Sequence, residues 1–309
     1  MLAFSTCWNT SRHDDGEAII EEIRELGFEW IELSHGMTLS KLPGIERAYE
    51  QGMFKCAGVH NFFPSPTEVM MDAPDAYEYT SYRSADRERA FKNTLSTLEE
   101  AARFGARYLV LHMGSNHKMP SDKWSKVLER YMKDGEFLSK DFVRHKHKFI
   151  KKRTQTAEIY YRRAAYYLEQ IEAKAREYGI VLAIESRSHY EQVPTEDEMV
   201  ALMEEFSQSE YVGYWHDFGH VHRKHNIGLL DHADWLSQMQ PYLIGGHLHD
   251  VQWPARDHRV PFTGTINYEE LMPYFNQHMP LVWELAPSRK AEDIKVALQS
   301  WKEAYPHTL

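Results

Sequence analysis

The chain has 309 residues and a formal net charge of −10 at pH 7, which argues against sequence-independent binding of a polyanionic nucleic acid and favours a small-molecule partner. Only two cysteines, Cys7 and Cys56, are present, so we expect both to stay reduced, as in a cytoplasmic protein rather than a disulfide scaffold. No apolar stretch approaches the roughly 18 residues of a membrane span, and we expect no membrane association.

Eight short runs rich in Val, Ile, Leu and aromatic residues follow one another along the chain. Such runs are typical of strands buried on both faces, as in a parallel sheet. Several of them are separated by about 30 residues, the length of one strand-and-helix unit. The runs cover residues 2–7, 28–33, 55–60, 107–112, 180–185, 211–217, 243–250 and 280–285.

Amphipathic helical patterns lie between most of these runs. The first begins at Gly16, has apolar residues at Ile19, Ile20, Ile23 and Leu26, and stops at Gly27. Longer helices are predicted at 84–105 and 154–179, and a last one near 289–305. Right-handed crossovers turn such a series into a doubly wound sheet or a closed barrel. Eight units favour an α/β fold of the (β/α)8 TIM barrel type, which we expect to occupy residues 1–309 as a single domain.

Residues 115–153 lengthen the connection that follows the fourth predicted strand. A connection there should be only a few residues long, so we interpret the segment as a helical insertion. It holds 12 Lys or Arg residues against five acids. One interpretation is a solvated helical excursion or a contact between the subunits of a homo-oligomer. The other is an active-site lid, in which case deleting residues 118–150 should raise KM or lower kcat.

Four of the apolar runs in the second half of the chain end in residues that commonly bind metals. They are Glu185, Asp217, His247 and Glu284, separated by 32, 30 and 37 residues. Because the carboxyl ends of barrel strands meet at one face, these side chains are expected to converge there. Three oxygen donors and one imidazole suit Mn²⁺, Mg²⁺, Co²⁺ or Zn²⁺. The alternative is that these acids are structural and pair with Lys or Arg.

Further polar residues follow the same strand ends. His60 and His112 close the third and fourth runs, and for these two the alternative is a structural histidine hydrogen-bonded at the barrel mouth. Glu191 lies six residues after Glu185, and His220 lies three after Asp217. The seventh strand is followed by Arg256, Asp257 and His258. By contrast, we assign His216, His222, His225 and His232 to packing or to the surface.

At these residues the chain resembles the xylose isomerase-like TIM-barrel superfamily, which includes sugar isomerases and epimerases, inosose dehydratases and endonuclease IV. The resemblance spans nearly the whole chain. It is carried by the strand-end glutamates Glu185 and Glu284 and by three short segments. These segments are Asp217-Phe218-Gly219-His220, His247-Leu248-His249-Asp250 and Gly264-Thr265-Ile266-Asn267-Tyr268.

The ketose 3-epimerases within this superfamily give the nearest local match. Their ligands are Glu, Asp, His and Glu, with a second Glu six residues after the first and a His three after the Asp. The matching positions here are Glu185, Glu191, Asp217, His220, His247 and Glu284. Those enzymes also place a substrate arginine six residues after the His ligand, where this chain has Trp253. The first arginine after that position is Arg256.

The resemblance implies a divalent-metal-dependent isomerase or epimerase that acts on a sugar, sugar acid or cyclitol through an enediolate. The metal ligands would be Glu185, Asp217, His247 and Glu284, with Mn²⁺ as the first choice and Mg²⁺, Co²⁺ or Zn²⁺ as alternatives. Glu185 and Glu284 would also move the proton from one face of the carbon to the other. The substrate would be held by His60, His112, Glu191, His220, Arg256 and His258.

Three other functions stay open at this point. A lyase of the same scaffold, either an inosose-type dehydratase or a C-glycoside-cleaving enzyme, would use the same metal and carboxylates. A zinc phosphodiesterase resembling endonuclease IV would bind three zinc ions, although its expected Asp-x-His pair reads Arg256-Asp257-His258 here. Its ligands would be His60, His112, Glu185, Asp217, His220, His247, His258 and Glu284. A non-catalytic sugar-binding protein should have an incomplete metal set, whereas this set is complete.

Overall fold

The computed structural model describes residues 1–69, 73–119 and 122–309 and contains a closed barrel of eight parallel strands. Around the barrel each strand lies beside the strands that precede and follow it in the sequence, and the first and last strands are neighbours. This confirms the predicted (β/α)8 architecture. The strands are β1 (Leu2–Ser5), β2 (Trp30–Leu33), β3 (Lys55–His60), β4 (Tyr108–Leu111), β5 (Val181–Glu185), β6 (Val212–Asp217), β7 (Leu243–Leu248) and β8 (Leu281–Trp283).

Helices connect successive strands, and the first shows why these sequences fold as they do. It buries Ile19, Ile20, Ile23 and Leu26 and ends at Gly27, whose φ of 102° is left-handed and costs glycine little. No helix in the described part of the chain has the length and apolar character needed to cross a bilayer. The helices are α1 (Gly16–Leu26), α2 (Leu42–Glu50), α3 (Ser84–Arg103), α4 (Lys123–Lys133), α5 (Lys140–Thr156), α6 (Glu158–Tyr178), α7 (Glu196–Glu205), α8 (Phe218–Asn226), α9 (His232–Met239), α10 (Tyr268–Leu271) and α11 (Ala291–Ala304).

A small cluster of strand side chains packs separately from the main core between strands and helices. Tyr108 and Trp215 dominate it, with ring centroids 4.5 Å apart. The cluster is completed by Met1, Ala3, Ala57, Val110, Ala183 and Val282. Because all but Met1 lie on barrel strands, they form the packed interior expected of this fold. The floor of the barrel is therefore apolar, and polar side chains are concentrated at the strand ends.

Four strands, β1, β4, β7 and β8, end one or two residues earlier than their apolar runs predict, and the first and seventh show why. The first stops at Ser5, because residues Thr6–Trp8 turn into a short 3₁₀-helix whose Cys7 N–H donates to Ser5 Oγ at 3.5 Å. The seventh stops at Leu248, after which Asp250–Gln252 and Arg256–Arg259 form an antiparallel pair. This pair turns the chain back over the mouth of the barrel and brings His258 within 3.6 Å of Glu284.

The segment predicted as an insertion contains helices α4 and most of α5. Before them, Gly114–Ser115 pairs in antiparallel fashion with Gln192–Val193, which follows β5. Leu128 of α4 and Phe142 and Phe149 of α5 bury a small cluster together with Met119 and with Ile227, which follows α8. Pro120 and Ser121 of this segment lie outside the described residues, and its role as an inserted lid stays a prediction.

Candidate metal centre

Four side chains predicted as metal ligands meet at the carboxyl end of the barrel. Glu185, Asp217 and His247 are the last or nearly last residues of β5, β6 and β7, and Glu284 directly follows β8. All four are buried, and one ligand atom from each lies within 4.8 Å of the others. His247 Nδ1 is 2.7 Å from Glu185 Oε1 and 3.3 Å from Glu284 Oε2. We call these four residues the four-donor cluster.

The cluster is held together by opposite charges. Although burial disfavours ionisation, His247 and His112 hold the pKa of Glu185 well below its usual range. In the same way, burial opposes the imidazolium, but Glu284, Glu32 and Glu185 raise the pKa of His247 well above its usual range. A metal ligand must be deprotonated, so metal binding here is expected to release the proton of His247.

The donor set itself fits a divalent metal ion. Three carboxylates and one imidazole combine hard oxygen donors with one nitrogen, the mixture expected for Mn²⁺, Mg²⁺, Co²⁺ or Zn²⁺. An ion that takes six ligands, such as Mg²⁺, would keep two positions for oxygens of a substrate beside these four donors. Two of the acids, Glu185 and Glu284, come from β5 and from the residue after β8, on either side of β6 and β7.

Glu32, which the sequence did not single out, orients the imidazole of His247. This fully buried carboxylate of β2 has Oε1 3.1 Å from His247 Nε2, and its Oε2 accepts a hydrogen bond of 3.0 Å from Tyr108 OH. The contact leaves His247 Nδ1 facing the three other donors, the arrangement in which an outer carboxylate fixes a metal-binding histidine. The available signal was an acid inside the apolar run Phe28–Leu33.

A second group of donors shares Glu185 with the four-donor cluster. It consists of His60, His112 and Glu185. His60 Nε2 and His112 Nε2 lie 3.5 Å and 2.5 Å from Glu185 Oε2, and His112 Nδ1 lies 2.9 Å from Asp75 Oδ1. His35 lies in the same region, because ligand atoms of His35, His60 and Glu284 also lie close to one another. Neither His35 nor Asp75 was predicted, since each lies in a loop with no local pattern.

A third group lies on the other side of the cluster and contains three imidazoles, His220, His249 and His258. His249 Nε2 is 3.0 Å from Asp217 Oδ1, and the rings of His249 and His258 stack with centroids 4.2 Å apart. His220 Nδ1 donates to the carbonyl of Ser186 at 3.0 Å, and burial lowers the pKa of His220 to about 4. His220 is therefore neutral, with Nε2 available for a ligand.

Two residues predicted to hold the substrate are placed differently from the rest. The Glu191 carboxylate accepts hydrogen bonds from Trp124 N, Ser125 N and Ser125 Oγ at 3.0, 3.0 and 2.6 Å, so it caps the start of α4. Arg256 is exposed on the antiparallel strand Arg256–Arg259. The structure thus brings His60, His112, His220 and His258 to the four-donor cluster, whereas Glu191 is engaged with a helix. Contact of either Glu191 or Arg256 with a substrate stays a prediction.

Comparisons with known proteins agree with this architecture. Residues 20–304 match the family model described as xylose isomerase-like TIM barrel. No curated protein matches the chain in sequence.

Similar solved structures include a D-tagatose 3-epimerase-like protein, with 16% identity, a TM-score of 0.69 and coverage of 99% of this chain and 97% of that one. They also include the IolI protein with a bound zinc atom, at 14% identity and a TM-score of 0.68, covering 100% and 99%. The 3-keto-D-glucoside 4-epimerase YcjR from E. coli has 14% identity and a TM-score of 0.66, covering 98% of each chain. At these identities the likeness shows the fold alone.

Proposed function

Because the chain belongs to the xylose isomerase-like TIM barrel family, we propose that it is a divalent-metal-dependent isomerase or epimerase of a sugar, sugar acid or cyclitol. The observation that carries this proposal is the four-donor cluster, buried at the catalytic face of the barrel. The solved structures with a similar fold include proteins described as sugar epimerases, which is consistent with this choice.

Glu185 and Glu284 are the groups that we propose move the proton. Both contact His247 Nδ1, but they reach it from different strands, so each can face a different side of a bound carbon. One carboxylate takes the proton from carbon and the other returns a proton on the opposite face, through an enediolate of the substrate. A bound divalent ion would polarise the substrate carbonyl and so increase the acidity of the neighbouring C–H bond.

The remaining polar side chains are proposed to position the substrate. His60, His112, His220 and His258 surround the cluster and offer ring nitrogens for hydroxyl groups. Asp217 and His247 serve as ligands alone. Of the candidate ions we place Mn²⁺ first, because it accepts both carboxylate and imidazole donors. We also propose that the chain works in the cytoplasm as a single domain, and that it forms a homo-oligomer.

Exchange of solvent deuterium into a substrate tests the two-carboxylate mechanism. The Mn²⁺-loaded protein is incubated in D₂O with sugars, inosose and glycosides, and mass spectrometry identifies a compound that gains deuterium at carbon. Glu185→Gln and Glu284→Gln should each abolish this exchange, because each removes one of the two bases. Exchange that persists in both variants would reject the mechanism. Release of a leaving group after proton transfer would instead identify a lyase.

A second candidate is a zinc phosphodiesterase of the endonuclease IV type. The observation in its favour is that two further groups of donors, His60–His112–Glu185 and His220–His249–His258, flank the four-donor cluster. Metal analysis separates the candidates, because one ion per chain supports the isomerase. About three zinc ions, together with cleavage of a phosphodiester, would replace it with the hydrolase. If the protein binds a sugar but catalyses no exchange and no cleavage, it is a binding protein.

A further inference from the structure

Arg187 is a buried arginine, and most of its donors have no acceptor among the residues that the structure describes. It follows Glu185 by two residues and is only 2% exposed. Its Nη2 donates to Asp75 Oδ2 at 2.7 Å. Its Nε and Nη1, however, have no hydrogen-bond partner anywhere in residues 1–69, 73–119 and 122–309. A guanidinium carries five N–H donors, so most of this group has no acceptor within the described part of the chain.

Arg153 shows what a structural arginine in the same protein looks like. It is 1% exposed, nearly the same as Arg187. Its Nε donates to Tyr190 O at 3.0 Å, its Nη1 to Glu198 Oε1 at 2.9 Å, and its Nη2 to Gln192 O and Glu198 Oε2 at 2.8 and 2.7 Å. A buried donor without an acceptor costs about 1–3 kcal/mol, more for a charged group. Unlike Arg153, Arg187 therefore has the unpaired donors expected of a residue whose acceptor is part of a ligand.

The position of Arg187 connects it to the metal centre. Asp75, which accepts from Arg187 through Oδ2, lies 2.9 Å from His112 Nδ1 through Oδ1. His112 Nε2 in turn lies 2.5 Å from Glu185 Oε2. Only two side chains thus separate the guanidinium from a carboxylate of the four-donor cluster. A ligand group held by Arg187 would belong to a molecule whose other end reaches that cluster.

We propose that Arg187 binds an anionic group of the substrate, so that the substrate class is an acidic sugar carrying a carboxylate or a phosphate. The planar fork of a guanidinium pairs with either anion through two parallel hydrogen bonds. Arg256, the arginine that the sequence suggested for this task, is exposed on the antiparallel strand after β7. The inference rests on the proposed function in taking the anion to be part of a sugar.

Calorimetric titration of the Mn²⁺-loaded protein with matched sugars tests this inference without requiring turnover. The probes are D-glucose, D-glucuronate and D-glucose 6-phosphate, with inorganic phosphate as a fourth. The wild-type protein should bind at least one acidic sugar ten or more times more tightly than glucose. In Arg187→Met this preference should disappear, while glucose binding stays the same. Arg187→Lys keeps the charge but not the fork and should retain only part of the preference.

Arg103→Met is the matched control, because Arg103 is an exposed arginine at the end of α3, paired with Glu46 and Glu100. It should bind all four probes as the wild type does, and circular dichroism should show that every variant is folded. If Arg187→Met does not fold, the comparison rests on Arg187→Lys. Equal binding of neutral and acidic sugars by the wild type would overturn the proposal. So would an acid preference that survives in Arg187→Met, since the acid would then bind the metal directly.

The same titrations separate this inference from the proposed function. Loss of acid preference in Arg187→Met, in a protein that exchanges no deuterium, would keep the anion site and reject the isomerase. Binding of inorganic phosphate that requires Arg187, with no sugar bound, would keep the anion site and reject a sugar as its ligand. Absence of binding by all four probes would count against the anion site itself.

Discussion

Two groups of buried and half-buried histidines occupy neighbouring parts of this molecule and differ in the groups that their rings face. At the mouth of the barrel, His112, His247 and His258 face carboxylates, for example His247 against Glu185 at 2.7 Å. Outside the barrel wall, between β6, α8 and α9, histidines face one another instead. His216 Nε2 is 2.9 Å from His232 Nε2, and His232 Nδ1 is 3.3 Å from His222 Nδ1. We call His216, His222, His225 and His232 the outer histidine cluster.

The charge state follows from these partners. At the mouth, burial opposes protonation, but Asp257 and Glu284 raise the pKa of His258 well above its usual range. In the outer histidine cluster burial lowers the pKa of His222 to about 4, the neighbouring His225 lowers it further, and no carboxylate of the described residues offsets this. Histidine content alone therefore does not identify a site. The mouth histidines face carboxylates and suit a cation, whereas burial lowers the pKa of His216, His222 and His232 in the outer histidine cluster.

Replacing a carboxylate ligand at the barrel mouth should lower Mn²⁺ affinity, whereas a replacement in the outer histidine cluster should not. This is the largest effect that we predict. Asp217→Asn keeps an oxygen that can accept from His220 N, as Asp217 Oδ1 does at 2.6 Å, but it removes a negative charge from the four-donor cluster. We expect Mn²⁺ affinity to fall by about 100-fold or more, measured by calorimetry, since outer ligands alone are worth about 10–100-fold. The matched variant His232→Gln in the outer histidine cluster should leave the affinity unchanged. Equal affinity in Asp217→Asn and the wild type would contradict the assignment.

A smaller loss of Mn²⁺ affinity is expected when Glu32 is replaced, because Glu32 acts on the four-donor cluster through His247. Glu32→Gln weakens the contact that orients Nδ1 towards the other donors, so Mn²⁺ affinity should fall by about 10–100-fold. The pH dependence of binding should change as well, because Glu32 helps to hold the proton that the metal displaces. Tyr108→Phe removes only the hydrogen bond to Glu32 and should cost less than about tenfold. Glu32→Gln with wild-type affinity and pH profile would show that Glu32 is structural only.

Acid should destabilise the protein through the outer histidine cluster. A histidine whose pKa is lower in the folded state favours folding while neutral, so its contribution is lost as pH falls below the unfolded value of about 6.5. For His222 the loss runs from about pH 6.5 to about pH 4 and reaches about 2 kcal/mol at pH 5.

Urea unfolding at pH 7 and pH 5 measures this loss. The drop in free energy of unfolding should be about 2 kcal/mol smaller in His222→Leu than in the wild type. Val221→Ala, a buried change next to it on α8, should lower stability at both pH values without altering the drop. Identical drops in His222→Leu and the wild type would show that His222 does not carry this sensitivity.

The barrel and the convergence of the four-donor cluster could be predicted from the sequence because both depend on local sequence patterns. A buried parallel strand is a short apolar run, and Glu185, Asp217 and His247 each stand near the end of such a run. If the fold is a barrel, the polar residue at the end of such a run is expected at the catalytic face. The helix predicted after Asp15 was confirmed for the same reason, since its apolar spacing and its glycine stop are both local.

Other parts of the candidate site depend on contacts between distant parts of the chain. Asp75 and Arg187 are 112 residues apart, yet they form an ion pair of 2.7 Å. The sequence near either residue does not indicate the other as its partner. Glu191 matched a family spacing, but packing against α4 decides what its carboxylate contacts. Glu32 lies inside an apolar run, where only the pairing of β2 with its neighbours shows that it faces His247.

The shared position of Glu185 has a consequence for cooperativity. Its Oε1 faces His247 in the four-donor cluster, while its Oε2 faces His60 and His112. Two cations bound in these adjoining groups would have to divide one negative charge, so the second would bind more weakly than the first. If the protein is the zinc hydrolase, a metal titration should then be biphasic, whereas the isomerase with one ion per chain should give a single phase. Replacing this one carboxylate should merge both phases into a single weak one.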